Sequence, residues 1–251
     1  MKMQCRHSVL ARPPRRRAVL TLRPIPLALA KIMNATCLLR TLRAAAVASF
    51  LCAVAGPAVH AEISGYPPSV ENYDAREVAM LPRYCKYTQL FRQHVPGGDN
   101  KAEIDRWHAQ MGEAFQAMHH YCWGLMKTNR AMLLAKTRQD RQFYLASSIN
   151  EFDYVITNSQ PGFVLLPEIY TRKGENLLRL GRSVQGIQAL ERAIELKPDY
   201  WPPYAQLSDF YKASGNAMKA RETLEKGLAQ IPDAKALNRR LAELKDVKAQ
   251  Q

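Results

Sequence analysis

The amino-acid sequence predicts an all-α solenoid of antiparallel helix pairs closed by a C-terminal capping helix. Three observations carry this expectation. Apolar residues recur at spacings of three and four from Ile104 onward, the C-terminal third repeats every 34 residues, and only 12 glycines in 251 residues argue against a turn-rich β protein. Hydrophobic residues, at 47%, are enough for a globular core.

The formal charge of +14 suggests nucleic acid until it is divided along the chain. Residues 1–61 hold ten Lys/Arg and no Asp or Glu, which leaves 26 Lys/Arg against 22 Asp/Glu, or +4, for the rest. The basicity belongs to the leader, so a nucleic-acid partner is not expected. Arg40 and Arg43 precede an apolar run of 16 residues, Ala44 to Val59, and Val59-His60-Ala61 then offers small residues at the two positions a signal peptidase reads. The run is short for a membrane span, so the sequence predicts a secretory signal cleaved near Ala61-Glu62, a periplasmic or secreted mature chain, and membrane contact only if the signal stays uncleaved. Met33 opens a signal of more ordinary length, and it is the expected start of translation.

Within the mature chain, 62–103 reads as an irregular lead-in, punctuated by Gly65, Pro67, Pro68, Pro82 and the loop Pro96-Gly97-Gly98-Asp99-Asn100. Residues 104–160 read as a degenerate helical pair. Ile104, His108, Met111, Phe115, Met118, Cys122 and Leu125 make one apolar face over some six turns, and Phe143, Leu145, Ile149, Phe152 and Ile156 mark a second helix. Asn158-Ser159-Gln160-Pro161-Gly162 ends it.

Residues 167–200 and 201–234 align as repeats through Tyr170/Tyr204, Gly181/Gly215, Leu190/Leu224, Glu191/Glu225, Pro198/Pro232 and Asp199/Asp233. Each unit supplies a helix, a Gly-containing turn, a second helix and a proline that stops it. With Gly174, Gly186 and Ala193 also in place, the pattern resembles the tetratricopeptide repeat (TPR) family. The second unit departs at Ser208, where the family prefers Gly or Ala, and at Gly227, where it prefers Ala; both stay small. Residues 235–251 follow as capping helix and tail, with Leu237, Leu241 and Leu244 on an apolar stripe and Arg239, Arg240, Glu243 and Lys245 facing water.

The resemblance implies a protein partner, a peptide or helix, held in a concave groove lined by the first helix of each unit. The groove positions are Glu168, Thr171, Arg172, Glu175 and Arg179, then Ala205, Gln206, Asp209 and Lys212. Some members grip a C-terminal carboxylate with a Lys and Asn pair; here those positions read Thr171/Glu175 and Ala205/Asp209, so that clamp is absent. Exported members often serve cell-envelope assembly, and this sequence is expected to be such a scaffold, with no cofactor and no enzymatic activity.

An alternative rests on His119-His120-Tyr121-Cys122. On one continuous helix, His108, His119 and Cys122 share a narrow sector, and two imidazoles and a thiolate could ligate zinc or copper in a metal-binding or redox protein. Against it, Cys85 and Cys122 are the two cysteines left after leader cleavage, and an even pair in an exported domain reads most simply as one disulfide. Closing that 37-residue separation stabilises a fold by roughly 4 kcal/mol on the chain-entropy model. No Gly-rich phosphate loop, serine elbow or zincin pair appears.

Overall fold

The computed structural model describes residues 73–249, with side chains to Leu244. The predicted leader, with the signal segment and the cleavage before Glu62 expected there, lies outside them.

The lead-in is more ordered than its prolines suggest. Asp74 caps helix α1 (Ala75–Ala79) in a capping box: its carboxylate accepts from the first turn, and Glu77 reaches back to the Asp74 N–H at 3.3 Å. A 3-10 turn, Arg83–Tyr87, follows Pro82 and carries Cys85, and α2 (Phe91–His94) precedes the expected loop. Leu81, Cys85 and Phe91 are buried against Cys122 and Met126, so this segment packs on the helices rather than trailing from them.

The predicted six-turn helix is broken. α3 (Lys101–Met111), capped by Asn100, stops at Gly112, whose φ of +61° only glycine adopts readily. A 3-10 stretch, Gly112–Ala117, leads into α4 (Met118–Asn129), and a π turn, Arg130–Leu134, ends it. Met111, Phe115 and Met118 still face one core, so the break leaves these residues of the stripe buried. α5 (Arg138–Thr157), capped by Thr137, packs back on α4, where Gly124 leaves the space that the Phe152 ring occupies.

Two further pairs follow: α6 (Leu166–Arg179) with α7 (Ser183–Leu196), and α8 (Pro202–Ala213) with α9 (Ala217–Gln230). The repeated glycines do identical work. Gly181 at φ +76° and Gly215 at φ +77° each close a Schellman motif, with Arg182 N–H donating to Leu177 and Asn216 N–H to Tyr211. Gly174 and Gly186 face each other across α6 and α7, each backbone carbonyl about 3 Å from where the other's Cβ would stand. α10 (Lys235–Ala249) packs on α9 and α8 through Leu237 and Leu244. No strand occurs among the described residues.

Gly227 shows why this chain departs from the family's alanine. A Cβ there would stand 2.7 Å from Leu237 Cδ1 and 2.9 Å from Tyr204 Cγ, at the root of a buried ring. Alanine adds about 1 kcal/mol of helix propensity, but overpacking costs about 1–3 kcal/mol. Gly227→Ala is therefore expected to lower stability by about 1 kcal/mol net, read as a lower urea midpoint.

Candidate interaction surfaces

At 100° per residue, Glu168, Arg172, Glu175 and Arg179 fall on one face of α6. Thr171 departs from its expected groove position: it is buried, and its hydroxyl donates to the Pro167 carbonyl at 2.7 Å. Ala205 is likewise buried. The remaining positions form a strip in which the charges are partnered. Tyr121 of α4 donates to Glu168 at 2.8 Å, and Arg172 lies 3.9 Å from both Glu168 and Glu175. Glu175 accepts from Arg179 on its own helix and from Gln206 of α8 at 3.3 Å.

The strip continues onto the capping helix. Arg240, expected to face water, instead grips Asp209 through Nε and Nη2 at 2.9–3.1 Å, and Lys212 lies 3.6 Å from Glu243. Gln206, Arg240 and Glu243 each stand 31 residues beyond their partners Glu175, Asp209 and Lys212. That offset places one first helix beside the next in a 34-residue repeat, and opposite groups 31 apart were the signal that could have found the pairs. At the upstream end, burial and then the Glu168 charge raise the hydroxyl pKa of Tyr84 and Tyr121, and push that of Tyr200 up to about 12.

The proposed metal set does not assemble. Cys122 Sγ is bonded to Cys85, with both residues fully buried. His108 lies across the Gly112 break, beside Glu113 and the edge of Phe115. His119 bonds the Gln116 carbonyl at 2.9 Å and packs on His120, which stacks on Tyr154 and meets Glu151, a carboxylate shared with Lys127. Among the described residues, no group of three or more His, Cys, Asp or Glu could hold a metal ion.

Two buried partners escaped the sequence reading altogether. Arg130, in the π turn, bonds both oxygens of Glu77 at 2.5 and 2.9 Å, with side chains 1% and 5% exposed. The guanidinium also lies over Trp123 and Tyr144. The disulfide and this ion pair together fix the 73–95 segment to α4 and its π turn.

Residues 177–244 match the Tetratricopeptide repeat family model, from the last turn of α6 into the capping helix. This stretch carries tetratricopeptide repeats. No curated protein matches the chain. TPR units are in general non-enzymatic modules that bind protein partners, and the match takes in α7, α8, α9 and most of α10.

His119 is placed to make the stability of the fold depend on pH. Burial, and then the neighbouring His120, lower the pKa of His119, while the Gln116 carbonyl and Glu151 oppose the shift. Protonation thus favours the unfolded chain: stability is full above the ordinary histidine value of about 6.5 and falls as pH drops through the lowered folded value. The melting temperature is expected to fall between pH 7.5 and pH 5, with a shallower slope in His119→Gln.

Proposed function

We propose that this protein is an exported scaffold, periplasmic or secreted, that holds a protein partner along the strip running over α6, α8 and α10 and carries out no reaction of its own. The observation that carries the reading is the continuity of that strip: side chains of successive first helices are tied to one another, while Arg172, Asp209 and Lys212 keep 43–48% of their side-chain surface exposed. A partner meets a preorganised, charge-balanced face, which costs little conformational entropy on binding. Export is supported by the buried Cys85–Cys122 disulfide, since such bonds form and persist in oxidising compartments. Cell-envelope assembly is the process assigned, by analogy with exported scaffolds of this repeat class.

Crosslinking and pull-down from the envelope fraction test the binding face. Arg172→Glu and Arg179→Glu are expected to lose the partner; if both variants keep every partner, the strip is not the working surface. Fractionation tests the location, with an N-terminus at Glu62 expected on the exported chain and a full-length cytoplasmic chain counting against it.

A further inference from the structure

The opposite side of α6 carries a cleft that the strip does not use. Tyr170, Lys173 and Leu177 lie about 160° around α6 from the strip residues. With α5 and α7 they enclose about 410 Å³, floored by the buried side chains of Ile149, Leu177 and Ala189.

The polar groups of its wall differ from those of the strip in one respect. Along the strip the charged side chains are partnered within the chain, whereas in the cleft only Asp153 and Lys173 pair, at 2.5 Å. Asn150, Arg182, Gln185 and Gln188 line the same cleft, and their side chains make no hydrogen bond or ion pair with other described residues. Since Asp153 and Lys173 cancel, the cleft carries one uncompensated positive charge, the Arg182 guanidinium. Its three primary amides each offer a donor and an acceptor, the combination that matches the N–H and C=O of an extended main chain.

We propose that this cleft binds an extended acidic segment of a partner protein, its main chain held by Asn150, Gln185 and Gln188 and one Asp or Glu side chain by Arg182. One guanidinium suits one carboxylate, and a bidentate Arg–carboxylate pair fixes the register of the segment. The site is separate from the strip, so either surface can fail without the other.

Selection of random dodecapeptides displayed on phage, without a free C-terminal carboxylate, against the full chain tests the proposal. The selected peptides should share an Asp or Glu, and the synthetic consensus peptide should bind about tenfold or more weakly to Arg182→Glu, the loss expected for a charge-assisted bond. Selection repeated on Arg182→Glu should return Lys or Arg at that position, while Arg179→Glu on the strip leaves affinity within about twofold. Arg182 is exposed, and a far-ultraviolet circular dichroism spectrum checks that the variant folds. The double substitution Gln185→Ala with Gln188→Ala, also at exposed positions, gives an independent loss of about fivefold. Peptides without an acidic preference, failure to select any peptide, or an equal loss in Arg179→Glu would overturn the assignment.

Discussion

Glu77→Gln is expected to lower stability by roughly 3–5 kcal/mol, because it leaves the Arg130 charge buried without its carboxylate. A glutamine at this position can still accept from the Asp74 N–H in the capping box of α1, so the loss belongs to the ion pair. It should be largely recovered when the second charge is removed too, which a cycle through Arg130→Met tests. Glu77→Gln with Arg130→Met should be clearly more stable than Glu77→Gln alone, since replacing both ions of a buried pair by groups of similar volume is often neutral. Urea denaturation of the four chains measures this, and a double variant no better than the single one would show that Arg130 does its main work against other groups. Trp123 and Tyr144, whose rings lie 5.0 and 6.0 Å from the guanidinium, are the first of these.

The second large effect is loss of the disulfide. Cys85→Ala with Cys122→Ala should cost about 2–5 kcal/mol, in line with an estimate of roughly 4 kcal/mol for a loop of this length. The cost should appear first in one place. Leu81, Phe91 and the Glu77–Arg130 ion pair remain to hold the 73–95 segment, but none of these contacts is covalent, and each buried apolar side chain contributes only about 1.5–3 kcal/mol. Limited trypsin digestion is therefore expected to cut at Arg83 or Lys86 in the variant well before any site in α6–α9, and the native chain should behave likewise under strong reductant. Equal cutting throughout would mean that the segment and the repeats unfold together.

Features enforced by local backbone chemistry were legible in the sequence. Gly181 and Gly215 announce their turns because a Schellman motif needs a residue at positive φ, and the 34-residue period follows from building one helix pair twice. The pairing of Cys85 with Cys122 was readable for another reason: two cysteines among the described residues leave one simple arrangement. Gly112 carried a signal that the strong apolar periodicity outweighed, since a stripe at spacing three and four survives a break that keeps its side chains on one core. Asp74-Ala75-Arg76-Glu77 likewise spelled a capping box inside a segment judged by its prolines. Glu77 with Arg130, 53 residues apart, had no local signal, because that contact exists only once the lead-in lies on α4. The strip fell between these cases. Its positions came from the repeat, but that its charges would be spent on each other follows only from the 31-residue offset between neighbouring first helices.

That offset bears on how the array comes apart. In a stack where each unit touches only its neighbours, opening starts at whichever end is held least firmly. The upstream end has a covalent bond and a buried ion pair, whereas α10 is held by Leu237, Leu244 and a partly exposed guanidinium–carboxylate pair. Unravelling is thus given a direction: amide protons of α10 should exchange first, those of α8 and α9 next, and those of α4 last. A molecule that frays from one end only presents its partner with a face whose upstream half stays formed while its downstream half opens and closes.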